Sequence, residues 1–173
     1  MEQFREPFSN IKRAYDSNSS RDIDLFCKQG YSGICPVLKL QKISWTNPGL
    51  FDVPSNIGIF FSVWLDSKSF ERGRILYNIH ALRIGKLEGY SFAGFDFAAS
   101  FRSEFADLSH SWPHVSVNYG KLTLMQGWIK LDMSTIEQDI AVLFENFLPV
   151  SHIIDKLLAG RLIPIKAGTL ATI

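Results

Sequence analysis

Two amphipathic stretches in a row, spanning residues 133–161, constrain the fold of this chain more than any other feature. Ser134-Thr135-Ile136-Glu137 has the form of a capping box. Ile136, Ile140, Leu143, Phe144, Phe147 and Leu148 then recur at helical spacing on one face. Pro149 interrupts the run, and Val150, Ile153, Ile154, Leu157 and Leu158 repeat it before Gly160. Two helices with a proline at the joint are expected. The first is expected to cover a sheet. The second is expected to be rotated off it, so that Val150, Ile153, Ile154, Leu157 and Leu158 form an interface with a second copy of the chain.

The sheet is announced by Ile57 to Asp66. Ile57, Ile59, Phe61, Val63 and Leu65 alternate with Gly58, Phe60, Ser62, Trp64 and Asp66, a period that suits a strand and not a helix. Phe60 and Trp64 give the second face apolar character as well. Ile75–Ile84 reads as its partner across a short polar link, which favours antiparallel pairing. Val37–Trp45 reads as a further strand whose phase shifts, with Leu38 and Leu40 on one face and Ile43 and Trp45 on the other. Val115, Val117 and Tyr119 alternate as a short strand, and residues 122–132 form its return.

Helices are expected elsewhere from spacing and caps. Phe4, Phe8, Ile11 and Tyr15 mark the first, with Pro7 in its opening turn. A second, short helix is expected from Ser20 to Gly30, burying Ile23, Phe26 and Cys27. Asp96 is placed to cap a third over residues 97–107, with Phe97, Phe101 and Phe105 as its stripe. The resulting expectation is an α+β fold in the order ααβββαββαα, with a single mainly antiparallel sheet of about five strands flanked by helices. Residues 1–161 form one domain. Residues 162–173 form an apolar tail, docked on the body or on a second subunit.

Bulk properties exclude several classes. The 173 residues suffice for a core without disulfides or metals, and the formal net charge of +1 gives no general attraction to nucleic acid or anionic lipid. Two cysteines, an N-terminus without an apolar core and no membrane-length apolar run point to a cytoplasmic protein with reduced thiols. No cofactor or metal is implied. His110 and His114 are four apart, but Pro113 separates them.

No catalytic motif is present: there is no nucleophile elbow, phosphate loop or carboxylate cluster. The densest set of reactive side chains runs from Phe101 to Tyr119. There Glu104 and His114 are candidates for acid–base work, and Arg102 for holding a phosphate or carboxylate, with His80 as a further member. Asn78, Trp112, Tyr119 and Trp128 are candidates for framing a small ligand. Three functions follow in order of preference. The first is a non-enzymatic binding or assembly domain that self-associates as a homodimer. The second is a small hydrolase acting on a phosphate ester or nucleic acid through Arg102–His114. The third is a small-ligand-binding protein.

Overall fold

A computed structural model describes residues 2–17, 25–32, 35–50 and 57–164. The fold is α+β, as expected. One five-stranded antiparallel sheet runs in simple sequence order. Its strands are β1 (Leu25–Ser32), β2 (Cys35–Lys42), β3 (Gly58–Trp64), β4 (Arg74–Leu82) and β5 (Thr123–Lys130). The helices are α1 (Arg5–Ser17), α2 (Ser67–Glu71), α3 (Phe97–Phe105) and α4 (Ile136–Ala159).

All the described helices lie on one face of the sheet. That face presents Leu38 and Leu40 from β2, Ile59, Phe61 and Val63 from β3, and Ile75, Tyr77, Ile79 and Ala81 from β4, all buried. Phe61, on the central strand, is the hub. Its ring stacks on Phe147 of α4 with centroids 4.7 Å apart, and meets Phe144 and Trp112 edge-on. α1 packs beside α4 through Tyr15 and Phe144 and covers β1 and β2, while α3 closes the β5 side.

The element order differs from the expected one in three places before the closing segment, where there is a fourth difference. First, β1 replaces the expected second helix. Phe26 and Cys27 sit in a strand paired with β2, with Cys27 buried and Phe26 exposed; Ser20 and Ile23 lie outside the described residues. An apolar triplet at i, i+3, i+4 is too short to separate helix from strand. Second, the expected strand at 115–119 reduces to one bridge, Ser116 with Gln126, on the outer edge of β5. Third, the link at 67–73 contains α2, capped by Asp66 and Ser69 in a reciprocal box.

The closing segment is one helix. α4 runs unbroken for 24 residues through Pro149, whose ring is on the solvent side. The missing N–H is therefore lost where water can serve the freed carbonyl. The buried stripe continues from Phe147 into Val150, Ile154 and Leu158. Three of the five residues expected at an interface are thus inside the protomer, and Ile153 and Leu157 are partly buried against the core. The capping box also fails to form. Thr135 is the cap without a side-chain bond, Ser134 binds Asp132, and Thr135 binds Asp139.

β2 ends at Lys42, and a short 3-10 turn over Ile43–Trp45 swings Trp45 into the core while leaving Ile43 exposed. The phase shift expected within a strand is this turn. It brings the Trp45 carbonyl within 2.5 Å of where a β-carbon on Gly58 would lie, and Gly58 has φ +127°. Only glycine fits there. Asp155 of α4 locks the turn from above. Its carboxylate accepts from the Lys42 ammonium and the Trp45 indole N–H, each at 2.8 Å. At the chain's end, Ser91 and Ile163 donate to Arg161 and Gly89, so residues 161–163 dock on the 89–91 loop. The tail from 165 onward lies outside the described residues.

Lys42 is nearly buried, with its side chain 7% exposed. Removing Asp155 takes away the carboxylate that this nearly buried ammonium bonds, and breaking one side of a buried pair costs far more than the pair contributes. Asp155→Ala is expected to lower unfolding free energy by about 3 kcal/mol, read from the urea midpoint. Combining it with Lys42→Met is expected to restore most of the loss.

Candidate functional site

The residues singled out as catalytic candidates do not converge. The Arg102 side chain donates through Nη2 to the carbonyls of Tyr119, Gly120 and Thr123 and through Nε to that of Leu124. It fastens the turn before β5 to α3. Glu104 accepts from Lys156 and ties α3 to α4. His114 lies on the far side of β5, its ring stacked on Trp128 at 3.6 Å. His80 shares only the Leu122–Leu124 segment with Arg102, reaching it from the opposite face. No hydrogen bond joins any two of the four among the described residues.

The ligand-frame candidates separate too. Trp112 is buried among Phe61, Tyr77 and Phe105, and its indole N–H has no partner among the described residues. It belongs to the core. Tyr119 is exposed at the turn that Arg102 holds. Asn78 and Trp128 do share a surface, the face of the sheet turned away from the helices.

That open face is built by the alternation of five strands. Across it runs one row, Lys28–Lys39–Ser62–Asn78–Gln126, and next to it a second, Val37–Trp64–Leu76–Trp128. Beyond the first lie Phe60 and His80, and beyond the second Arg74 and Lys130. Large neighbours shield the small polar centre, so Ser62 and Asn78 are only 4% and 3% exposed.

A polar chain threads this centre. Ser62 Oγ donates to Asn78 Oδ1 at 2.6 Å, and Asn78 Nδ2 lies 2.8 Å from His80 Nε2. The amide donates, so Nε2 accepts and the ring proton sits on Nδ1, directed at the Leu122 carbonyl 3.2 Å away. Burial holds the His80 imidazole below its ordinary value. The Leu122 carbonyl opposes that shift, and the charge of Lys39 adds to it.

Trp128 has no free ring face. The Arg74 guanidinium lies 4.0 Å from its centroid and the His114 ring 3.6 Å; groups that close cannot share one side, so they clamp the indole between them. His114 reaches this place with φ +50°. The loop that carries it is also held from below. The Tyr77 hydroxyl donates to the Pro113 carbonyl, passing under Gly127, where a β-carbon would fall 2.2 Å from that hydroxyl.

Charge is sorted by strand. β1 to β5 carry Lys28, Lys39, Lys42, Arg74 and Lys130 and no carboxylate. Lys42 is bound to Asp155 on the helix side; the other four belong to the open face. They stand as two like-charged cross-strand pairs, Lys28 opposite Lys39 and Arg74 opposite Lys130. Lys39, Arg74 and Lys130 form no ion pair among the described residues. Lys39 lies over the Phe60 ring at 4.5 Å, and burial holds its ammonium below the ordinary lysine value. Two carboxylates border the face. Asp66 is committed to the α2 cap and the Trp64 side chain, and Asp132, which feels Lys130, is bonded to Ser134.

Sequence reasoning picked out Asn78, His80 and Trp128 but missed Lys39, Arg74 and Lys130. The signal was present, since every charged residue within the strands is basic, but it emerges only when register aligns residues far apart in the chain. A cleft of about 300 Å³ also opens between β5 and α4, lined by His114, Lys130, Asp139 and Val142 among others. No cluster of metal-ligating side chains occurs among the described residues, and no described helix is long and apolar enough to cross a membrane. No protein-family model matches the chain, and no curated protein or solved structure matches it either.

Two outcomes follow from these roles. The folded state binds the His80 proton less readily than the unfolded chain does. Its contribution is therefore full above the unfolded value of about 6.5 and declines as pH falls through it. His80→Gln is expected to flatten the fall in stability between about pH 7 and 5, measured by urea unfolding at each pH. Arg102→Ala is expected to cost about 2 kcal/mol through lost charge-assisted bonds, and Arg102→Lys to recover little because one ammonium cannot reach four carbonyls. Thermal melts of the two variants check this.

Proposed function

We propose that this chain is a non-enzymatic binding domain whose recognition surface is the open face of the sheet. The observation that carries this is the like-charged cross-strand pair of Arg74 and Lys130, together with the partly buried Lys39, which has no ion pair among the described residues. Such pairs destabilise a sheet by a few tenths of a kcal/mol up to about 1 kcal/mol each. Natural sheets place opposite charges or neutral residues at such positions. A fold that keeps Arg74 against Lys130 and leaves Lys39 partly buried without an ion pair among the described residues retains charge at a cost to its own stability, as binding surfaces do.

The other expected readings have weaker support. Self-association through the second half of α4 rests on Ile153 and Leu157 alone at the surface, since Val150, Ile154 and Leu158 are committed to the core. A hydrolase built on Arg102 would have to release the guanidinium from the carbonyls of residues 119, 120, 123 and 124. A cytoplasmic location agrees with Cys27 and Cys35 being thiols.

The test is stability itself. Lys39→Met keeps the aliphatic stem over Phe60 and removes an ammonium that burial disfavours. It is expected to raise stability by about 0.5 kcal/mol, seen as a higher urea midpoint at pH 7. A clear loss of stability would mean that the Lys39 charge serves the fold, and the reading of this face as a binding surface would fail.

A further inference from the structure

Resting on that reading of the open face, we infer that its ligand is a single-stranded nucleic acid. The argument begins with the placing of charge. Lys39 and Arg74 are separated by two strand spacings across the sheet and four residues along it. At about 4.8 Å and 3.3 Å per step, their backbones stand roughly 16 Å apart. One phosphate or carboxylate cannot answer both Lys39 and the Arg74–Lys130 pair. A chain with regularly repeated negative charge can.

The surface between Lys39 and that pair favours a nucleic acid strand over an acidic peptide. An extended peptide gains most by adding to a sheet edge, where main-chain groups are free. Here the cations project from the face. The row between them holds Trp64, half-buried beside Val37 and Leu76. A flat apolar ring between cations is the arrangement on which bases stack while phosphates are neutralised. Arg74 adds a donor fork for phosphate oxygens. Its guanidinium carbon lies 4.0 Å from the centroid of the Trp128 ring and makes no ion pair among the described residues, so its N–H groups are held in place without being consumed. A near-neutral total charge does not oppose this. No carboxylate lies within the strands, and the two that border the face, Asp66 and Asp132, are engaged by the α2 cap and by Ser134.

The face has a shallow relief and a centre of Ser62 and Asn78 closed by their own bonds. Recognition is therefore through backbone and stacking, with little dependence on base identity. Three contacts from Lys39, Arg74 and Lys130 give an expected slope of about −2 for log affinity against log salt.

Fluorescence anisotropy with the full chain tests this, using labelled 12-nucleotide oligo-U and oligo-dT, a DNA duplex of the same length and a 12-residue polyglutamate. Both single strands are expected to bind with that slope and more tightly than duplex or polyglutamate. Arg74→Ala with Lys130→Ala is expected to weaken binding at least tenfold and to flatten the slope by about 1.4. Trp64→Leu is expected to weaken it several-fold without changing the slope. Thermal melts confirm that each variant is folded. Polyglutamate binding that equals the oligonucleotides and is lost in the double variant would overturn the nucleic acid while leaving the face as the binding surface. Oligonucleotide binding that ignores all three substitutions would overturn the face itself. No binding by any probe at low salt would overturn the inference of a polyanion, and Lys39→Met stability would then decide the broader reading.

Discussion

The stack of Phe61 on Phe147 is the contact around which this molecule is organised. Phe61 sits on the central strand, and Phe147 lies midway along a helix that spans the sheet. Trp112, Tyr77 of β4 and Phe144 of α4 gather round Phe61, and Tyr15 of α1 meets Phe144 in turn, so the apolar burial that offsets chain entropy is concentrated at one place. Because every described helix is drawn to this side, the sheet has an inside and an outside. The asymmetry leaves a face that no described helix covers.

That asymmetry shows in where charge is tolerated. On the helix side, the buried Lys42 is met by the carboxylate of Asp155. On the outside, Arg74 stands opposite Lys130. An ion pair and a like-charged pair on the same sheet separate two roles for basic residues: one fixes the end of α4, the other works against the sheet that carries it. Trp128, clamped between Arg74 and His114, sits between these roles. Its rigidity belongs to the structure, and its place at the rim belongs to the face.

The architecture was legible where patterns were long. The alternation from Ile57 to Leu65, the phenylalanine spacing of α3 and the Asp96 cap each correspond to observed elements. Short patterns misled. Phe26 and Cys27 were ambiguous between periods, and Ser134–Glu137 offered a cap that the backbone did not adopt. Pro149 was read as a joint because a proline in mid-helix normally costs a bond and a clash; on the solvent side, with a continuous apolar stripe beneath it, the helix absorbs that cost. Arg102 resembled an anion ligand in sequence because nothing in its neighbours reveals that four carbonyls of a distant turn surround it. The basic face was illegible for a similar reason. Its residues are scattered from position 28 to position 130 and meet only through register.

The order of elements also sets how the chain must be made. The sheet is a simple meander, so its strands can pair as they leave the ribosome, each with the one before it. Their common cover is different. α4 is the last described helix, and until residue 159 has emerged the ring of Phe61 and the apolar rows beside it have no Phe147 or Phe144 to bury them. α1 waits as well, since Tyr15 packs on α4. A nascent chain therefore carries a paired but uncovered sheet for the time needed to synthesise its closing segment, a state prone to aggregation. The helix that completes the core is also what ends the chain's most vulnerable interval.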